Sequence, residues 1–95
     1  MKKLYISIPI SGRDIERVKK EADAWKSVFA NDYEVITPLE INPEQDGRRY
    51  SQLMGKDIEV LLDCDAIFMC PGWVKSKGCN AEYQIARIYD IEVIE

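Results

Sequence analysis

Leu4, Tyr5, Ile6, Ser7 and Ile8, halted by Pro9 and followed by Ile10, Ser11, Gly12, Arg13 and Asp14, describe a strand that runs through a turn into a helix. The aromatic and β-branched residues of the first five positions fit an extended, buried backbone. Pro9 cannot continue a ladder because it lacks an N–H donor. Ser11 with Asp14 three residues on reads as a serine cap with an acidic partner, opening a helix. Beyond it Ile15, Val18, Ala22, Trp25 and Phe29 recur at steps of three and four, a single buried stripe, and the helix should run to about Asn31.

The same strand-then-helix unit repeats along the chain. Tyr33 to Ile36 is a second strand. Thr37 to Gly47, punctuated by Pro38, Pro43 and Gly47, is a loop long enough to bind a ligand. A second helix covers roughly Arg49 to Leu62. Ala66 to Met69 is apolar throughout and reads as a central strand, broken by Pro71 and Gly72. Ser76 can cap a third helix running to about Tyr89, and Glu92 to Ile94 is a fourth strand. Right-handed crossovers turn this pattern into a three-layer α/β domain over residues 1–95. Its four-stranded parallel sheet has the order 2-1-3-4, with the first helix on one face and the other two on the opposite face, a flavodoxin- or Rossmann-like arrangement. Ligands of such sheets sit beyond the carboxyl ends of the strands at the switch point, here the loops Pro9 to Arg13 and Cys70 to Gly78.

Composition narrows the chemistry. Thirteen basic against seventeen acidic residues give a net charge of −4, unsuited to a nucleic-acid polymer or an anionic membrane surface. The absence of histidine excludes Ser-His-Asp and Cys-His machinery and leaves acid–base work to carboxylates, tyrosine, lysine or a thiol. Cys64, Cys70 and Cys79 match no metal-binding spacing, so no metal is expected, and an odd count without a leader pattern reads as reduced thiols in the cytoplasm. The run Ala66 to Cys70 is too short to span a membrane.

Two carboxylates stand where apolar residues belong. In the third helix Ala81, Ile85, Ala86, Ile88 and Tyr89 form an apolar arc that includes Glu82. In the second, Tyr50, Leu53, Met54, Ile58 and Leu61 form an arc that includes Asp57. Both lie about two turns from the ligand-binding edge. A buried carboxylate costs several kcal/mol unless partnered. Rim capping or ion pairing explains one such residue; two at the same level point to paired carboxylates acting on a glycosidic bond. Ser11, Gly12 and Arg13 at the first helix start, with Ser76, Lys77 and Gly78 at the third, supply an anion-binding context, although serine and glycine also serve as plain caps. Neither a P-loop nor a G-x-G-x-x-G pattern is present.

These residues together resemble the nucleoside 2-deoxyribosyltransferase superfamily, including its deoxynucleoside-monophosphate N-glycosidases. The likeness rests on Tyr5 to Gly12, on Asn42 and Pro43, on Asp57, on Asp63 to Phe68, and on Ser76 to Glu82. It implies that Glu82 attacks the anomeric carbon, that Asp57 protonates or binds the leaving base, and that Tyr5 orients Glu82. It implies substrate contacts from Ser11, Gly12, Arg13, Asn42, Ser76, Lys77 and Gly78. Serine at 76, where the transferases usually carry aspartate, leans toward a 5′-monophosphate. The resemblance further implies a double displacement without a cofactor, on a small nucleoside or nucleotide, in a homodimer or higher homo-oligomer. Relatives carry a further segment after the fourth strand that completes a neighbour's pocket; the sequence here stops at Glu95, and the Thr37 to Gly47 loop is the expected substitute. The alternatives are a nucleotide-binding or scaffold protein that keeps fold and pocket without turnover, and a pure oligomerisation domain.

Overall fold

The computed structural model describes residues 1–41 and 49–95. Its strands are β1 (Lys3–Ser7), β2 (Glu34–Ile36), β3 (Ala66–Met69) and β4 (Glu92–Ile94). Its helices are α1 (Ile15–Phe29), α2 (Pro38–Ile41), α3 (Tyr50–Leu61) and α4 (Lys77–Ile88), and a 3-10 turn spans Trp73–Lys75. The sheet is parallel in the order β2-β1-β3-β4. Tyr5 pairs with Ile36 on one side and Ile67 on the other, while Ser7 at the carboxyl end of β1 pairs with Met69. The Cys70 N–H donates to the Ser7 carbonyl at 3.0 Å, so the two central strands end together.

Alternation along the central strands sends side chains to two cores. Leu4, Ile6, Ala66 and Phe68 pack with Val18 and Ala22 of α1 on one face. Trp25 and Phe29 close over Phe68 at centroid distances of 4.7 and 4.9 Å. Tyr5, Ile67 and Met69 face Leu61 of α3 and Cys79 and Ala86 of α4 on the other. Four strands are thus covered by one long helix on one face and two on the opposite face.

The departures from the sequence expectations are local. Ser11 does not cap α1: Gly12, at φ 78°, turns the chain so that the Arg13 N–H bonds the Ile10 carbonyl, and the helix begins only after Asp14. The first half of the expected Thr37 to Gly47 loop contains the one-turn α2, whose Pro38 and Leu39 are buried. Ile88 and Tyr89, expected in the core, are exposed. The buried line of α4 is Cys79, Glu82 and Ala86, and Ile88 falls roughly 180° around the helix from Cys79 at 100° per residue. Asn42 lies outside the described residues.

Candidate functional site

Ser76 is the N-cap of α4; its Oγ accepts from the Cys79 N–H at 3.2 Å, which fixes where the helix begins. Glu82 follows about one and a half turns later and is 4% exposed. The Tyr5 hydroxyl donates to Glu82 Oε2 at 2.7 Å, and the Ser7 hydroxyl donates to Oε1 at 2.7 Å. Burial pushes the Glu82 carboxyl up from its ordinary range, and the hydrogen bonds from Tyr5 and Ser7 pull it back down. Burial, followed by the charges on Glu82 and Asp57, pushes the Tyr5 hydroxyl well above its ordinary value and keeps it a proton donor to the carboxylate.

Asp57 is 8% exposed on α3 and lines the same cavity as Glu82. Tyr50, Leu53 and Met54, which the sequence assigns to a core-facing arc with Asp57, form the cavity wall instead. Ile8, Ile10 and Pro38 supply further apolar lining. The inner cavity encloses about 80 Å³ and opens beside an outer one of about 410 Å³, with Ile10, Ser11, Tyr50, Ser76 and Gly78 common to both. So small an inner space suits a reacting group, with the rest of a ligand lying in the outer one.

Lys75 and Lys77 line the outer cavity, and among the described residues neither has an ion-pair partner. Asn80 holds that rim in shape: its side-chain amide lies 3.3, 2.9 and 2.7 Å from the carbonyl oxygens of Trp73, Val74 and Ser76, as a donor. Gly72, at φ 88°, starts the 3-10 turn in a conformation that disfavours a side chain.

The structure therefore brings Glu82 and Asp57 together at the inner cavity, with Tyr5 held to Glu82 from outside the lining, and Ser11, Ser76, Lys77 and Gly78 around the outer one. Gly12 and Arg13 line neither. The Arg13 guanidinium turns away to the Glu21 carboxylate and to the Pro9 carbonyl at 3.0 Å. Sequence reasoning missed Ser7, Cys79 and the cavity role of Tyr50. The signal for Ser7 was its two-residue offset from Tyr5, which puts both hydroxyls on one face of β1. Burial pushes the Cys79 thiol up against the opposing pull of the Ser7 and Ser76 hydroxyls, so it remains a thiol. Among the described residues, no three His, Cys, Asp or Glu side chains gather to hold a metal ion.

The fold and site define a parallel α/β domain with two buried carboxylates in one cavity at the carboxyl ends of its central strands. The chain belongs to the family described as Domain of unknown function (DUF4406), whose model matches residues 2–95. No curated protein and no solved structure matches it.

Proposed function

We propose that this protein cleaves or transfers at the N-glycosidic bond of a 2′-deoxynucleoside or its 5′-monophosphate through a covalent glutamyl-deoxyribosyl intermediate. The observation that carries the reading is Glu82: a nearly fully buried carboxylate with a neutral donor on each oxygen, beside a cavity that also holds Asp57. A carboxylate kept only to bind structure would be expected to face a cation or a run of backbone amides.

In the first step a Glu82 oxygen forms a bond to the anomeric carbon as the carbon–nitrogen bond breaks. The bonding pair leaves with the base, which takes a proton from Asp57. In the second step water, or an acceptor base, bonds to the same carbon, returns its proton to Asp57 and releases the Glu82 carboxylate. Tyr5 and Ser7 stay protonated throughout. Ser11, Ser76, Lys75 and Lys77 around the outer cavity support a phosphate on the substrate, with the first turn of α4 adding its free N–H groups. Three buried, free cysteines support a cytoplasmic setting, and a small-molecule substrate in a homo-oligomer is the arrangement that goes with this reading.

The test is a panel of 2′-deoxynucleosides and their 5′-monophosphates, with base release followed by chromatography and the protein mass followed for an adduct on Glu82. Base release with a deoxyribosyl adduct is the expected result. Ligand-induced stabilisation without turnover overturns it in favour of a binding protein. Monophosphates should be processed better than nucleosides, and Lys77→Ala should narrow that gap; a nucleoside preference moves the assignment to a transferase.

A further inference from the structure

Ser7 closes β1 fully buried, opposite Met69, on the face covered by α3 and α4. A hydroxyl there gives up water and the apolar contacts an alanine or valine would make, so it needs a partner. Serines often find one in the backbone a few residues away. This one reaches across 75 residues of sequence to Glu82 Oε1.

The consequence is geometric. The terminal torsion of a glutamate is broad, so one hydrogen bond to one oxygen leaves the carboxylate plane free to swivel about that contact. Tyr5 on Oε2 and Ser7 on Oε1 together set the plane. We infer that Ser7 is a positioning residue for Glu82: its hydroxyl fixes the orientation of the carboxylate and helps keep it charged where it faces the cavity. This rests on Glu82 being the reacting group. The titratable groups that feel the Glu82 charge are Tyr5 from β1, Tyr50 from α3 and Cys79 from α4, while Asp57 of α3 shares its cavity. Among the described residues no cation pairs with Glu82, and the Tyr5 and Ser7 hydroxyls are the donors that favour its charged form, so removing one should be felt directly.

The experiment is a carbon-13 NMR titration of the whole protein labelled at glutamate carboxyls, with the Glu82 resonance assigned by its loss in Glu82→Gln. In Ser7→Ala the Glu82 carboxyl should titrate higher than in the wild type by about one pH unit or more, the worth of a hydrogen bond to a charged group. Ser7→Thr should restore the wild-type value. With a processed substrate, Ser7→Ala should lower kcat about tenfold with KM within twofold, and should move the acid limb of the kcat–pH profile upward. If Ser7→Ala does not fold, Ser7→Cys, a weaker donor, should move the titration part of the way in the same direction. An unmoved Glu82 titration with only a lowered Tm overturns the inference. A titration that moves as expected, in a protein that turns over nothing on the panel, sustains the Ser7 role and removes the glycosidase reading alone.

Discussion

At Glu82 the deciding balance is between lost water and gained donors. Burial favours the protonated form and the two hydroxyls favour the charged one, with burial the larger, so the folded protein holds this proton more tightly than the unfolded chain does. Its stabilising contribution is therefore fully present below the ordinary value of 4.5 and is lost as pH rises through the higher folded value. Glu82→Gln keeps the shape, can still pair with both hydroxyls and carries no charge. It should raise Tm at pH 7, a gain that shrinks below pH 4.5, while base release disappears. Thermal scans at the two pH values with a chromatographic assay check both halves; wild-type turnover removes Glu82 from its role. Asp57→Asn should lower turnover about 10²-fold or more, as expected for loss of a positioned proton donor.

Among the elements, α4 carries the greatest burden, because its first turn shapes the outer cavity and its second presents Glu82. The loop before it is held by the Asn80 side chain on three carbonyls and by Trp73 lying on Tyr83 at 4.8 Å between ring centroids. Asn80→Ala should destabilise the protein by about 1 to 3 kcal/mol in chemical denaturation, since the carbonyls lose their donor. It should also reduce the preference for monophosphates with little change toward nucleosides. Equal losses on both substrates would show that the staple holds the helix rather than the rim.

The elements also show which parts of the molecule could be read beforehand. Strand order and the α1 stripe were legible because period-two and period-3.6 patterns are strong in those segments, and Asp57 and Glu82 stood out as charges inside apolar arcs. Ser7 did not, since a serine at a strand end is unremarkable until its partner is known, and that partner is brought by the last helix. The start of α1 was misread because Ser11 and Asp14 imitate a cap pattern, whereas the left-handed Gly12 delays the helix. Ile88 was misread because it falls on the side of α4 opposite Cys79, and Tyr89 because it is the C-cap, past the last turn of the helix.

For the whole molecule, coverage of the sheet sets the expectation. One helix lies over the α1 face, and beside it Trp25, Phe68, Pro71, Trp73 and Val74 line a shallow, largely apolar hollow, with Val28 and Val74 well exposed. Parallel sheets are usually covered on both faces, and a second copy is the simplest cover. Sedimentation at micromolar concentration should therefore give a dimer or larger; a clean species of 11.0 kDa would contradict the shared-interface reading. Thr37, Pro38 and Leu39 are buried within the chain, and Pro38 lines its inner cavity. Among the described residues no helix is long and apolar enough to cross a membrane.

The Tyr5–Glu82 contact joins residues 77 apart in the chain, and this separates the birth of the sheet from the birth of the site. At a synthesis rate of roughly 5–20 residues per second, Tyr5 is made about 4 to 15 s before Glu82. The central strand must spend that interval with a tyrosine and a serine whose intended acceptor does not yet exist. A nascent chain stalled after β3 can pair its first three strands but has no carboxylate to receive those hydroxyls. The protein can thus acquire its scaffold first, whereas the reactive centre arises only when the fourth helix settles on the sheet.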